Sequence, residues 1–132
     1  RENVVLDETL LVVAGAASDP DNPNLERHKK QFEFACQVTR RAREMGVAVA
    51  AGTDGIGGSS PNLHAELQLL VKKSGFTPLE AITAATLNGA KAIGIEKDYG
   101  TLETGKVADI VILSANPAQD IRNTQTVEAV MQ

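Results

Sequence analysis

The apolar positions of this chain form short runs and helical stripes that alternate over its first two thirds. Residues 10–14 (LLVVA) make a continuous apolar run closed by Gly15, the pattern of a buried strand. Asp-Pro and Asn-Pro steps within residues 16–24 predict an irregular loop. From Leu25 to about Met45 the period becomes helical. One stripe is Phe32, Ala35, Cys36, Thr39 and Ala42, and a weaker one is Phe34, Val38 and Met45. Gly46 stands where a C-cap residue would close that helix.

Residues 47–51 (VAVAA) are apolar on both faces, as strands of a covered parallel sheet are. Gly52-Thr53-Asp54 and the glycine-rich Gly55-Ile56-Gly57-Gly58 follow at once. Helix, short turn, buried strand and polar loop, in that order, predict an α/β fold built on a parallel sheet. Ser60-Pro61 reads as an N-cap with proline at the first helical position, followed by an apolar face of Leu63, Leu67, Leu70 and Val71. After Gly75, Thr77-Pro78-Leu79-Glu80 reads as a capping box. Leu79, Ile82 and Thr86 are expected to carry that helix, and a short turn through Ala90 and Ile93 ends at Gly94.

Beyond Gly94 the period shortens. Gly100 and the Glu103-Thr104-Gly105-Lys106 turn precede a β run at residues 109–113. Asn116-Pro117 opens a loop, and residues 126–131 predict a last strand. The change of period divides the chain near Ile95, into residues 1–94 and a smaller β section of residues 95–132.

Composition narrows the functions open to such a chain. A net charge of -4 with scattered charges argues against a nucleic-acid surface. No stretch approaches the roughly 20 apolar residues of a membrane span. The start, Arg1-Glu2-Asn3, does not resemble a signal peptide, and a cytoplasmic location is favoured. Cys36 stands alone, which excludes an internal disulfide framework and a thiolate-rich metal site. Its place in a helical stripe predicts a packed thiol rather than a nucleophile.

The chemistry-bearing positions are few. Asp54 falls just beyond a buried strand, where parallel α/β barrels project their functional groups. An acid there can ligate a metal and take a proton from metal-bound water; equally, it can cap a loop or helix. His28, among Glu26, Arg27, Lys29 and Lys30, is expected to be solvated. His64 opens the helix after the Asp54 loop, and a supporting role there weighs more than metal ligation. Its neighbour Glu66 is two positions on, so a helix points the two in different directions. Gly55-Ile56-Gly57-Gly58 lacks the Gly-Lys-Ser/Thr ending of a phosphate loop. Ser59 and Ser60 have no local base to activate them.

Taken as a set, these motifs resemble the amidohydrolase superfamily. The pattern is Gly52-Thr53-Asp54, then Leu63-His64-Ala65-Glu66-Leu67, then Gly75-Phe76-Thr77-Pro78-Leu79-Glu80-Ala81 with Ala84-Ala85-Thr86. Gly100-Thr101-Leu102-Glu103-Thr104-Gly105-Lys106-Val107-Ala108-Asp109, with Asn116-Pro117 behind it, completes the set. It is most similar to the imidazolonepropionase and Xaa-Pro dipeptidase-like branch.

The resemblance implies the C-terminal part of a (β/α)8 barrel, with residues 47–51 as strand eight and residues 10–14 as strand seven. It also implies strands of a small composite β-sandwich, including residues 106–113. Asp54 becomes the metal-facing, proton-moving aspartate, with Thr53 and His64 beside the substrate or behind the ligands. The implied cofactor is Zn2+, as one or two divalent metals in the intact enzyme. The implied substrate is a small amide, cyclic amide or dipeptide, and a homo-oligomer is compatible. The family's first-strand His-x-His pair, its central bridging residue and its two later histidines have no counterpart here. Alone, the chain is therefore expected to bind zinc weakly or not at all and to be inactive. The competing expectation is a stand-alone, non-catalytic remnant that binds a partner.

Overall fold

A computed structural model of the chain describes residues 4–54 and 62–132. In chain order its elements are β1 (Val5–Glu8), α1 (Leu10–Ser18), α2 (Leu25–Glu44) and β2 (Ala48–Ala51), then α3 (Leu63–Ser74), α4 (Pro78–Ala85) and α5 (Leu87–Ala92). β3 (Ile110–Leu113), a 3-10 turn (Ile121–Gln125) and β4 (Val127–Met131) complete it. The VAVAA run is the strand β2, and it pairs in parallel with β1, Val5 opposite Ala48 and Glu8 opposite Ala51.

Residues 10–14 are helical, which corrects the expectation of a strand there. The strand beside β2 is the preceding Val5–Glu8, and the apolar run opens α1 instead. An apolar run of this length carries no period that separates strand from buried helix. Here the helix extends through Gly15, Ala16 and Ala17 to Ser18, with Leu10 fully buried. The connecting loop is correspondingly shorter than expected, since residues 16–18 belong to α1.

α2 follows its sequence pattern closely. Cys36 and Thr39 are buried, Phe32, Ala35 and Ala42 pack against the core, and the weaker stripe of Phe34, Val38 and Met45 is exposed. Gly46 adopts φ +74° while the N–H of Val47 donates to the carbonyl of Ala42 at 2.9 Å, the closing bond of a Schellman turn. α3 begins at Leu63, with Asn62 as N-cap accepting from the N–H of Ala65 at 3.0 Å. The Ser60-Pro61 start lies outside the described residues. Thr77 and Glu80 form the expected capping box at the head of α4.

The face of α4 differs from expectation. Leu79 is 60% exposed and Thr86 is exposed, whereas Ala81 and Ala84 are fully buried, with Ile82 and Ala85 packed beside them. Small side chains let this helix approach β2 and α3 closely, so the contact falls on alanines that a hydrophobicity pattern underweights. One core gathers Leu10, Val49, Leu67, Leu70, Phe76 and Ile121, so the 3-10 turn joins the interior built by the helices. The remaining strands form an antiparallel pair, Ile110 opposite Met131, with an irregularity between Ile112 and Leu113.

Candidate active site

Parallel strands deliver their C-terminal ends to one side, and here that side carries Asp7, Glu8, Gly52, Thr53 and Asp54. Leu6 and Val49, opposite each other in the register, both face the helices as part of the core or its lining. Glu8 faces the same way, because its Oε2 accepts from the hydroxyl of Thr39 on α2 at 2.7 Å. Alternation along the strands sets Asp7 and its partner Ala50 on the opposite face.

Gly52 continues the ladder past β2, its N–H donating to the carbonyl of Glu8 at 2.7 Å. A Cβ there would lie 2.8 Å from Thr9 Oγ1, 2.9 Å from Asp7 Oδ1 and 3.3 Å from the Glu8 carbonyl. Glycine admits that approach freely, whereas a larger residue would have to displace the Thr9 and Asp7 side chains. Asp54 follows, exposed, with φ +37°, a region where aspartate is tolerated better than most residues. Thr53 between them is half-buried. Gly55-Ile56-Gly57-Gly58, Ser59 and Ser60 lie outside the described residues.

His64 and Glu66 do point apart. His64 Nδ1 lies 3.1 Å from Thr124 Oγ1, whose hydroxyl donates to the Ile121 carbonyl at 2.8 Å. With that hydrogen so placed, Nδ1–H of His64 is the donor to Thr124, and the ring ties α3 to the 3-10 turn. His28 departs from the solvated expectation. It is half-buried, and the side-chain amide of Asn22 reaches its Nδ1 at 2.6 Å.

Sequence reasoning gave Glu66 no role, yet it is fully buried. Its Oε1 accepts from the N–H of Leu10 at 2.9 Å and its Oε2 from that of Leu11 at 2.7 Å. Burial pushes its carboxyl up to about 7; the two N–H groups pull it down, and Glu8 and Asp7 push it up further. The signal that could have found it is positional. Residue 66 falls on the Leu63, Leu67 and Leu70 face of α3, where an acid interrupts an apolar stripe.

A catalytic zinc uses three protein ligands besides its water. Among the described residues no group of three or more His, Cys, Asp or Glu side chains could hold a metal. The residues present offer Asp54 as a single candidate ligand, and by themselves they do not fit a catalytic metal. Among the described residues no helix is long and apolar enough to cross a membrane.

The model of the amidohydrolase family matches residues 24–131. Over 106 residues, 80% of this chain, it is 42% identical to an ochratoxinase of Aspergillus niger, of which it covers 20%. Over 77 residues, 57% of this chain, it is 47% identical to an imidazolonepropionase of Symbiobacterium thermophilum, of which it covers 18%. Among solved structures it is similar to a Xaa-Pro dipeptidase with methionine bound in the active site. That match has a TM-score of 0.84 and 28% identity, over 98% of this chain and 33% of the dipeptidase. The crystal structure of A. niger ochratoxinase matches with a TM-score of 0.82 and 29% identity, over 98% of this chain and 31% of that one. The chain thus spans a minor part of the length of each relative.

Proposed function

The chain belongs to the amidohydrolase family, and from that premise we propose that it is the C-terminal part of a metal-dependent hydrolase of C–N bonds. The substrate class is a small amide, cyclic amide or dipeptide-type molecule. The ochratoxinase, imidazolonepropionase and Xaa-Pro dipeptidase relatives support that class. The observation that carries the reading is Asp54 just past the end of a parallel strand, within the family match.

In the reaction, the oxygen of water bonds to the carbonyl carbon and the C–N bond breaks. Asp54 takes the proton that water releases and returns it to the departing nitrogen, so the products are a carboxylic acid and an amine. In this reading Thr53, next to Asp54 in sequence, is assigned to the substrate side, and His64 is assigned a supporting role from α3, where it bonds Thr124. Zn2+ belongs to this proposal as the cofactor of the longer protein, whose remaining ligands would come from outside this chain. The isolated chain is expected to bind zinc weakly or not at all, which titration calorimetry measures. Tight stoichiometric binding that is lost in His64→Ala would instead make His64 a ligand.

The test is Asp54→Asn in the intact hydrolase, assayed on a panel of N-acyl amino acids and Xaa-Pro dipeptides. A proton-moving group contributes about 10²–10⁴-fold, so kcat is expected to fall by that factor with KM little changed. A variant that keeps the parent kcat would remove Asp54 from the reaction.

A further inference from the structure

Glu66 poses a physical question. A carboxyl group has been placed in the interior, on a face where leucine would pack, and it bonds to an element 56 residues away in sequence. Its partners are the N–H groups of Leu10 and Leu11, which have no acceptor within α1 because they lie in its first turn. Thr9, the N-cap, makes no side-chain cap bond, and α1 has no acidic residue in its first turn. A carboxyl group from α3 therefore does what a local cap would ordinarily do.

The Thr9 hydroxyl, not used as a cap, lies instead against Gly52. Thr9 Oγ1 and Asp7 Oδ1 come within 2.8 and 2.9 Å of where a Cβ of Gly52 would stand, and the Gly52 N–H is held by Glu8. The turn between β1 and α1 is thus gripped on one side by Glu66 and on the other seats the strand end that leads to Asp54. We propose that Glu66 is a positioning residue for Asp54. By capping α1 from α3 it fixes the turn at Asp7, Glu8 and Thr9 against Gly52, and through Gly52 it sets where the Asp54 carboxylate stands. This inference rests on the hydrolase reading above.

The test uses the intact hydrolase. Glu66→Gln preserves shape but leaves one oxygen acceptor and turns an NH2 group toward the second N–H. Its kcat is expected to fall about tenfold to a hundredfold, the effect of a small misplacement of a reacting group, while KM stays near the parent value. Amide exchange at Leu10 and Leu11 should accelerate in the same variant. Gly52→Ala disturbs the same route from its other end, and residues coupled through one contact act non-additively. The double variant should therefore lose less than the product of the two single losses.

A folded Glu66→Gln enzyme with faster exchange and the parent kcat overturns the proposal. Multiplicative losses in the double variant also overturn it, and failure of Glu66→Gln to fold assigns the residue to folding instead. Asp54→Asn separates the two readings. If that variant stays active, the hydrolase assignment of Asp54 fails. If it is inactive while Glu66→Gln is unimpaired, the positioning role alone fails.

Discussion

At Glu66, burial and hydrogen bonding act in opposite directions on one carboxyl group, and burial prevails, lifting it to about 7. The folded chain then holds a proton that the unfolded chain has released from about pH 4.5 upward. Where the native state binds more protons, stability falls as pH rises. The contribution of Glu66 is fully present below pH 4.5 and is lost as pH rises through about 7. The size of the effect is on the order of 3 kcal/mol at most, from the width of that window. Urea melts at pH 5 and pH 8 are expected to show this slope in the parent chain and its absence in Glu66→Gln. An unchanged slope in the variant would assign it to other groups. At this scale the sequence is unevenly readable. The position of Asp54 past a strand end was legible because VAVAA runs directly into Gly-Thr-Asp, a local signal. The partners of Glu66 and of His28 were not, since the α1 N-terminus and the Asn22 side chain are brought to them by folding.

Among the elements, those with chemical punctuation were the readable ones. Thr77 and Glu80 satisfy each other's neighbouring N–H groups, Glu80 Oε2 accepting from Thr77 N at 2.7 Å and Thr77 Oγ1 from Glu80 N at 3.3 Å. Donation to its oxygens from the Thr77 N–H first, then from the Thr77 hydroxyl at 2.9 Å and from Arg43 at 3.0 Å, holds the Glu80 carboxyl below its usual range. Its stabilisation is therefore present above that range and fades as pH falls through the lowered value. Thr77→Ala is expected to cost about 1 kcal/mol, the usual worth of such a cap, read as a lower urea midpoint at pH 7. Gly46 is a cleaner case, because nothing lies within 4 Å of its missing Cβ. Gly46→Ala should cost roughly 1–2 kcal/mol from the left-handed backbone alone, with no change in core packing by near-ultraviolet circular dichroism. α1 shows the reverse situation. Its run of apolar residues carries no usable period, and the acid that caps it lies in α3, so its type is decided by tertiary contact.

For the whole molecule, the question is what the two small sheets do with their free edges. β1 pairs with β2 and β3 with β4, and each sheet has two strands among the described residues. Two-stranded sheets are marginal in water unless another surface covers them. β2 has cover from the helices, and the side-chain NH2 of Asn88 donates to the Val49 carbonyl at 2.9 Å. The other pair is much barer. Every residue of β4 is exposed, and Val111, Ile112, Val127, Val130 and Met131 show 43–61% of their surface. Beside it, a largely apolar cleft of about 820 Å³ opens between the hairpin and the helices, lined by Leu63, Ile82, Ile93 and Tyr99 among others. Unpaired strand edges joined to apolar surface are templates for another chain. The 132-residue chain in isolation is therefore expected to self-associate, and light scattering across a dilution series should report a mass above the 13.9 kDa of one copy. Lys or Glu at Val111 and Val130, on facing positions of the hairpin, should shift that mass toward the monomer without disturbing the helices. A monodisperse parent chain that melts cooperatively as a monomer would mean that these edges are tolerated in water. The independent, partner-binding module would then become the better account of the chain.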